Sequence, residues 1–205
     1  MYIPKHFQAD NSEETIAFMQ RYSFATLITS ANNYPEATHL PFLVEQQGGQ
    51  FIISSHFAKA NPQAAGIELN TALVIFTEPH AYISPANYEK EQNVPTWNYI
   101  AVHAYGQAKV VTDEAKQFAV LEKMIRFYDH GYLQQWENLP MDYKLKMLKG
   151  IVAFDITITD LQAKKKLSQN RTPAEQDTII NNLSKSQYSN EQEVAAYMAA
   201  MKSGA

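Results

Sequence analysis

The chain has 205 residues, a formal net charge of −4 and no cysteine. Proteins that bind DNA or a membrane surface through electrostatics alone are usually basic, so this charge argues against both. The lack of cysteine excludes disulfides, zinc–thiolate sites and thiol catalysis, and suits a reducing compartment. Because no signal peptide and no apolar run of roughly 18 residues is present, we expect a soluble, cytoplasmic protein without a membrane partner.

Strand patterns dominate the first half of the chain. Polar residues at 10–12 predict the start of a helix over "EETIAFMQRY". The segments "FATLITS" and "EATHLPFLVE" then indicate strands separated by the turn "ANNYP". "QQGGQ" predicts a hairpin tip leading into the strand "FIISSH", and "ALVIFTEPHAYIS" supplies one or two more strands.

The second half adds two strands and three helices. "NYIAVHAYGQAKVV" and "GIVAFDITITDL" indicate strands, and a helix is expected from about Thr112 to Tyr128. Thr172 and Pro173 predict the N-cap and first residue of the first of two polar C-terminal helices. Six or seven antiparallel strands with peripheral helices favour a closed or nearly closed β-barrel, since closure removes exposed edges. No G-x-G-x-x-G motif supports a parallel nucleotide-binding sheet.

The stretch "SSHFAKANPQ", residues 54–63, has the composition of a phosphate site. Two hydroxyls and a histidine end a strand, a lysine follows, and Asn61-Pro62 predicts a helix N-cap with proline at the first position. A phosphate is bound well by small donors, a point positive charge and free backbone N–H groups. The alternative is a common turn in which these side chains cap backbone groups and Lys59 is solvated.

The stretch "ATHLPFL", residues 37–43, should place Thr38 and Leu40 on one face of a strand and His39 and Pro41 on the other. A proline within a strand suggests an edge, or a ladder interrupted where a ligand approaches. Interrupted backbone can direct N–H and C=O groups at a planar heterocycle. A core histidine beside an edge proline explains the pattern equally well.

Two further stretches are rich in recognition groups. "VPTWNYIAVHAYG" crowds an indole, an amide, a phenol and an imidazole into one strand, and "KLSQNR" offers donors and acceptors for a ring edge or a phosphate. The alternative for "KLSQNR" is a polar loop. The histidines show no metal-ligand spacing, and neither a nucleophile elbow nor a P-loop is present.

Three of these stretches, "SSHFAKANPQ", "VPTWNYIAVHAYG" and "KLSQNR", resemble the signature segments of the PaiB-like proteins, the FMN-binding negative transcriptional regulators. "MYIPKHF", "ATHLPFL" and "LKGIVAFDITITDLQAKKKLSQNR" support the resemblance, which runs from residue 1 to about residue 183. It implies a split β-barrel similar to pyridoxamine 5′-phosphate oxidase and flavin reductase-like proteins, with FMN bound between the subunits of a homodimer. We therefore expect a flavin-binding barrel over residues 1–171 and a helical extension packed on it over residues 172–205.

The resemblance also implies four groups of FMN-binding residues: one lining the flavin ring, one around the phosphate, one closing the site, and one reaching in from the second subunit. The flavin ring would be lined by Thr38, His39, Leu40 and Pro41, and the phosphate would be surrounded by Ser54, Ser55, His56, Lys59 and Asn61. The site would be closed by Trp97, Asn98 and Tyr99, and the residues from the second subunit would be Gln169, Asn170 and Arg171.

This sequence departs from the related oxidases at the phosphate segment. Those enzymes carry an Arg-Lys pair there, whereas Lys59 is the only strong cation in this segment. We expect a lower phosphate affinity, with His56 and neutral donors taking a larger share. His103 has no assigned role at this stage.

The sequence supports flavin binding better than it supports any particular biological activity of the flavin-binding protein. Repression of genes is one output, and an FMN-dependent oxidoreductase without direct DNA binding is the alternative, although no acid–base pair is identifiable. A third class is a barrel that binds no cofactor and acts through partners. DNA contact would rely on a local patch at Lys164 to Lys166, joined by Lys144, Lys146 and Lys149, and is expected to be weak or indirect.

Overall fold

The computed structural model describes residues 1–9, 11–31 and 33–203. The helices are α1 (Ser12–Arg21), α2 (Glu114–Tyr128), α3 (Leu133–Asn138), α4 (Met141–Leu148), α5 (Pro173–Ser184) and α6 (Ser189–Lys202). The strands are β1 (Phe24–Ala31), β2 (Tyr34–Pro41), β3 (Leu43–Gln47), β4 (Gln50–Ala58), β5 (Ala72–Ile83), β6 (Thr96–Val110) and β7 (Ile151–Lys166). None of the helices in these described ranges is long and apolar enough to cross a membrane.

The seven strands form one sheet in the order β2-β1-β5-β6-β7-β4-β3. Hairpin neighbours pair antiparallel, as do the non-sequential pairs β1 with β5 and β4 with β7. The prediction of six or seven antiparallel strands is confirmed. Strand β2 lies at one end of the sheet order and contains Pro35 and Pro41. The edge-strand interpretation of "ATHLPFL" is therefore also confirmed, because proline cannot donate to a second ladder.

The chain forms two compact units. The first, here called the terminal unit, comprises Met1–Thr15, Thr77–Val102 and Gln162–Ala205. The second, here called the central unit, comprises Ile16–Phe76 and His103–Leu161. Strands β5, β6 and β7 contribute residues to both units, and α5 and α6 belong to the terminal unit. The division into a barrel of residues 1–171 and an extension of residues 172–205 stays a prediction.

The core of the central unit is built around aromatic side chains of four strand regions. Phe42 lies with its ring centroid 5.9 Å from that of Phe76 and 6.4 Å from that of Phe154. Phe57 packs on Phe154 at 4.8 Å, and all four rings are fully buried. Each such pair contributes roughly 0.5–1.5 kcal/mol beyond the burial of its apolar area. These contacts hold the end of β2 and the end of β4 against the same core.

The terminal unit buries the apolar faces of α5 and α6, with Ile179, Val194 and Met198 fully shielded. Helix α5 begins with a capping box. The Thr172 hydroxyl accepts a hydrogen bond from the Glu175 backbone N–H at 3.2 Å, and the Glu175 carboxylate accepts one from the Thr172 backbone N–H at 3.2 Å. The predicted N-cap and the two C-terminal helices are confirmed. The reciprocal bonds satisfy two backbone donors that a helix start otherwise leaves free.

Several element boundaries differ from the sequence predictions. Helix α2 begins at Glu114, because Asp113 rather than Thr112 caps it. The segment "ALVIFTEPHAYIS" forms a single strand, and β7 continues to Lys166. The short helices α3 and α4 were not predicted, since residues 130–150 show no clear helical period. The predicted capping residue Asp10 and the turn residue Asn32 lie outside the described residues.

Gly106 lies on β6 where the neighbouring strand approaches closely. A Cβ atom added there would lie 2.2 Å from the Thr157 carbonyl oxygen and 2.6 Å from Cγ2 of Ile156. Backbone atoms cannot yield as a flexible side chain can, so the strands would have to separate. This close approach explains the glycine that closes the "VPTWNYIAVHAYG" stretch.

We expect Gly106→Ala to lower the free energy of unfolding by about 1–3 kcal/mol or more, as overpacked cores do. Chemical denaturation followed by far-UV circular dichroism measures the change. Gly66→Ala is the matched control, because its added Cβ would meet nothing closer than Leu69 Cδ1 at 4.0 Å. Equal losses for the two variants would show that the approach of β6 and β7 at Gly106 is not a packing constraint.

Candidate functional site

Two of the predicted flavin segments meet in the central unit. The Asn61 side-chain amide donates to the Thr38 hydroxyl at 3.0 Å. The Ser55 hydroxyl donates to the Pro41 carbonyl at 2.7 Å. Strand β2 is therefore joined to β4 through Ser55 and to the turn after β4 through Asn61, which places the predicted ring-lining and phosphate residues side by side.

Gln63 organises this junction, although it was not among the predicted site residues. Its side chain is buried and accepts from the Thr38 hydroxyl at 2.6 Å. Its amide nitrogen donates to the Thr29 hydroxyl at 2.9 Å and to the Glu36 carbonyl at 3.2 Å. Its backbone N–H donates to the Asn61 side chain at 2.9 Å. The only sequence signal was its position at the end of the phosphate-like stretch.

Asn61 caps a shorter helix than predicted. The N-cap role and Pro62 at the first position are confirmed, but the helix is a four-residue 3₁₀ turn, Pro62–Ala65. A single turn lacks the aligned peptide dipoles of a full α-helix, so the predicted helix N-terminus cannot supply that part of phosphate binding. The bonds of Gln63 to β1 and β2 hold the chain in this tight turn.

The two predicted serine ligands are buried and already hydrogen-bonded. Ser54 donates to the Asp155 carboxylate at 2.6 Å, and Ser55 donates to β2 as described above. Each hydroxyl has one proton, so a phosphate could take a bond from either serine only if that proton is redirected. The assignment of both residues to the phosphate stays a prediction.

Lys59 and His56 are the two phosphate-segment residues with free polar groups. The Lys59 side chain is exposed, and no group in residues 1–9, 11–31 and 33–203 pairs with its ammonium. Its backbone N–H donates to the Gly150 carbonyl at 2.8 Å, which fixes the start of the turn. The Nδ1 atom of His56 is shielded from solvent and has no partner within those ranges, and burial lowers the pKa of this imidazole.

This donor set fits an anionic group such as the FMN phosphate. A fixed backbone presents one uncommitted cation, and an unsatisfied buried nitrogen costs about 1–3 kcal/mol until a partner reaches it. His103 on β6 shows the same feature, with a shielded and unpartnered Nδ1 and a pKa lowered chiefly by burial.

An exposed ring surface lies on the edge strand β2 and its neighbour β1 in the central unit. His39 is exposed, and its ring stacks on Phe24 with centroids 6.4 Å apart and planes 24° apart. Phe24 is 68% exposed. Pro41 is half-buried on the same face, whereas Thr38 and Leu40 alternate to the opposite face of β2. An exposed apolar and aromatic surface of this kind is what a planar ring covers on binding.

The remaining predicted segments meet in the terminal unit. Asn98 is fully buried, and its side-chain amide exchanges two hydrogen bonds with the Ser168 hydroxyl, at 3.0 Å and 3.1 Å. This pair joins "VPTWNY" to "KLSQNR". Trp97 is 52% exposed, whereas its carbonyl accepts from the Lys166 ammonium at 2.6 Å. Asn98 thus has a structural contact, and Trp97 presents a half-exposed indole beside the rings of His80 and Tyr82.

The residues after Ser168 mostly contact their own unit. Arg171 stacks its guanidinium 3.7 Å from the centroid of the Tyr88 ring and donates to Asn93 at 2.9 Å. Gln169 bonds backbone groups of its own loop, and Asn170 is exposed. Contact between these residues and a flavin of a second subunit stays a prediction.

The lysine run does not form the basic patch that was predicted. Lys164 is buried, with its ammonium 5.2 Å from the centroid of the Tyr99 ring and 3.2 Å from the Tyr2 carbonyl. Lys165 forms an ion pair with Glu14. These side chains are held by their own unit, so the expectation that they face a nucleic acid together is wrong.

Of the other lysines in the predicted patch, two are held by hydrogen bonds within their own units and two are exposed. Lys166 donates to Thr96 and Trp97, and burial, followed by the charge of Lys164, lowers its pKa. Lys144 is buried in the central unit and donates to the Glu137 carbonyl at 3.1 Å. Lys146 and Lys149 are exposed. Two solvated lysines are few for a DNA-binding surface.

Comparison with known proteins identifies the family. Residues 1–160 match the family described as "Putative FMN-binding domain". The chain is 41% identical over 202 residues to the protease synthase and sporulation protein PAI 2 of Bacillus subtilis, covering 97% of this chain and 96% of that protein.

Solved structures show the same fold at low sequence identity. The flavocytochrome Anf3 of Azotobacter vinelandii superposes with a TM-score of 0.62 at 17% identity, covering 80% of this chain and 72% of that one. A FAD- and heme-binding protein of Mycobacterium smegmatis gives a TM-score of 0.61 at 17% identity, with coverages of 78% and 73%. The predicted split-barrel fold and the FMN cofactor are confirmed, and the chain belongs to the PaiB-like family of FMN-binding proteins.

Proposed function

We propose that the protein is an FMN-binding regulator whose flavin sits over β2 and the turn after β4, and whose output is repression of genes. The observation that carries this placement is the junction of the two segments through Thr38, Asn61 and Gln63. It leaves the Lys59 ammonium and the His56 Nδ1 without partners in the ranges described above. Bound FMN would supply hydride or electron transfer, while the chain supplies binding and orientation.

The phosphate is the stronger anchor in this proposal. Lys59 offers a charge-assisted bond, whereas the ring surface of Phe24 and His39 offers stacking, which is worth less per contact. Trp97, Asn98 and Tyr99 are proposed to close the site, and Gln169, Asn170 and Arg171 are proposed to reach in from the second subunit.

We expect Lys59→Ala to weaken FMN binding by about ten- to a hundredfold. The variant removes a charge-assisted bond of roughly 1.5–3 kcal/mol, and each 1.4 kcal/mol is a factor of ten. Quenching of flavin fluorescence during titration of the apoprotein measures the affinity.

Two controls sharpen this experiment. Lys146→Ala removes an exposed lysine of the same unit outside the proposed cradle and should leave the affinity unchanged. Riboflavin, which lacks the phosphate, should bind the parent protein far more weakly than FMN and should not distinguish parent from Lys59→Ala. Equal affinities of the parent for FMN and riboflavin would contradict the proposal that this segment binds the FMN phosphate.

We also propose a homodimer with FMN at its interface. The support is the exposed aromatic surface of β1 and β2, where Phe24 is 68% and Tyr34 is 71% exposed. A second copy related by twofold symmetry would cover such a surface on both subunits at once. The Tyr34 side chain is exposed and is not one of the groups that bond Gln63, so it can be changed without removing a bond of the junction.

FMN should favour the dimer by mass action, since it would contact both subunits. Sedimentation velocity at micromolar concentration should show a dimer, and Phe24→Ser combined with Tyr34→Ser should shift it toward monomer. Saturating FMN should partly restore the dimer of that double variant. A parent protein that stays monomeric with and without FMN would exclude the arrangement.

The regulatory output should not come from tight DNA binding by the isolated protein. Most lysines of the predicted patch are held by their own units, and the net charge is −4. We expect weak binding with little sequence preference that falls steeply with salt, so that repression needs a partner. Titration of a candidate promoter fragment against a scrambled control at about 150 mM salt measures this, because specific regulators reach about 10⁻⁸ M or tighter there.

Tight binding to the promoter fragment alone would make direct repression the better account. An FMN-dependent oxidoreductase is the second candidate, and the half-exposed Trp97 favours it, because a second reactant can reach that indole. Oxidation of NADPH by the FMN-loaded protein, in the absence of DNA binding, would support the oxidoreductase.

A further inference from the structure

A cavity in the central unit is lined by α2 on one side and by strands β3, β4 and β7 on the other. Leu43 pairs with Ser54, and Ser54 pairs with Asp155, so these three side chains project from the same face of the sheet. Val120 of α2 packs against that face in one buried cluster with Leu43. The cavity has a volume of about 160 Å³. We call it the α2 cavity.

The α2 cavity is distinct from the proposed flavin site. Ser55, the next residue of β4, projects to the opposite face and donates its hydroxyl to the Pro41 carbonyl at 2.7 Å. Neither Lys59 nor His56 lines the cavity. Because one water molecule occupies roughly 30 Å³, the cavity has room for about five water-sized groups. A flavin ring is much larger than that, so the cavity suits a small molecule.

Four charged side chains line the α2 cavity, and two of them neutralise each other. The Lys123 ammonium donates to both carboxylate oxygens of Glu45, at 2.9 Å and 2.8 Å. The Asp155 carboxylate accepts from the Ser54 hydroxyl at 2.6 Å, which leaves further acceptor sites on its oxygens. Within the part of the chain that the structure describes, no ammonium pairs with Asp155 and no carboxylate pairs with Lys116. One anion and one cation are therefore available to a ligand.

The rest of the cavity wall is mostly apolar. Leu43, Val111 and Val120 are buried side chains that line it, and Ala119 lies beside them on α2. A short aliphatic group placed against this wall removes apolar surface from water, which is favourable at about 25 cal/mol for each Å². The cavity thus combines two opposite charges with a small apolar surface.

From this combination we infer that the α2 cavity binds a small α-amino acid with an aliphatic side chain. The ligand ammonium donates to the Asp155 carboxylate, the ligand carboxylate accepts from the Lys116 ammonium, and the aliphatic group packs on Leu43 and Val120. Asp155 is half-buried and Lys116 is exposed. Asp155 is therefore the stronger anchor, because an exposed ion pair is weakened by solvent.

The charges of the α2 cavity favour a zwitterion over simpler ligands. An anion, the FMN phosphate included, would meet the carboxylates of Asp155 and Glu45. An amine without a carboxylate would add a third cation beside Lys116 and Lys123. An uncharged molecule would remove water from charged groups without pairing them, which costs free energy. An α-amino acid pairs both available charges at once.

L-Valine is the probe, titrated by isothermal calorimetry into the full-length protein with and without saturating FMN. Asp155→Asn keeps the side-chain shape and an oxygen acceptor for Ser54 but removes the charge. It should weaken L-valine binding by about ten- to a hundredfold, as loss of a charge-assisted hydrogen bond does. Lys116→Ala should weaken binding by up to about fivefold, since exposed ion pairs contribute less.

Two truncated ligands test each contact separately. Isobutylamine lacks the carboxylate of L-valine and isovalerate lacks its ammonium, so each should bind the parent protein more weakly than L-valine. Isobutylamine should be weakened by Asp155→Asn and not by Lys116→Ala. Isovalerate should be weakened by Lys116→Ala and not by Asp155→Asn.

Matched variants and a charge reversal complete the design. Asp142→Asn and Lys146→Ala change exposed residues of the same unit that do not line the cavity, and both should bind L-valine like the parent. Lys116→Glu should weaken L-valine binding more than Lys116→Ala does, because it places a carboxylate opposite the ligand carboxylate. Lys116 is exposed, so this variant decides the question if Asp155→Asn fails to fold by far-UV circular dichroism.

The inference is overturned if the parent protein does not bind L-valine, or if Asp155→Asn and Asp142→Asn lose the same affinity. It is also overturned if L-valine displaces FMN or if folded Asp155→Asn no longer binds FMN, because the cavity would then belong to the flavin site. FMN fluorescence is recorded for each variant to detect this. Weak FMN binding that does not respond to Lys59→Ala, together with L-valine binding that responds to Asp155→Asn, would contradict only the proposed function.

Discussion

The buried amide of Gln63 is the constraint on which the proposed flavin site depends. Strand β2 lies at the end of the sheet order beside β1, so its other side needs support from elsewhere. Gln63 supplies it by bonding Thr38, Thr29 and the Glu36 carbonyl from the turn after β4. Each hydrogen bond contributes a net stabilisation of about 0.5–1.5 kcal/mol, whereas a buried amide left unpaired costs about 1–3 kcal/mol. The turn is therefore stabilised mainly by the cost of leaving the Gln63 amide without partners.

The same logic separates structural from available groups among the predicted site residues. Ser54, Ser55 and Asn98 are buried and bonded within their own units, so their first role is to fix strands and loops. Lys59 and Trp97 keep an ammonium and an indole exposed on backbone that those bonds hold in place. Binding chemistry is carried by groups that folding leaves without partners, and rigid neighbours lower the entropy lost when a ligand arrives.

Most of the elements that could be predicted depend on patterns of residues close in sequence. The two-residue period of the strands, the Gly48-Gly49 hairpin and the Thr172 capping box depend on residues close in sequence. The missed features depend on which strands become neighbours. His80 and Tyr82 lie on one strand, yet their rings meet the Trp97 ring only because β6 lies beside β5. The role of Gln63 likewise requires β1 to pair with β2.

The lysine run shows how a composition-based prediction can point to the wrong chemistry. Three consecutive lysines look like a solvated basic patch, because isolated ammonium groups are rarely buried. Here Lys164 places its ammonium against the Tyr99 ring and a carbonyl, where a cation is stabilised by the ring face and by a hydrogen bond. Lys166 is held in the same way by the Trp97 carbonyl.

Those contacts link the lysines to the strand that carries the predicted flavin-closing residues. A lysine that supports Trp97 or Tyr99 cannot leave to contact a phosphate backbone without exposing the groups it satisfies. The lysine run is therefore part of the packing of the terminal unit, where Lys164 contacts the Tyr99 ring and Lys166 holds the Trp97 carbonyl.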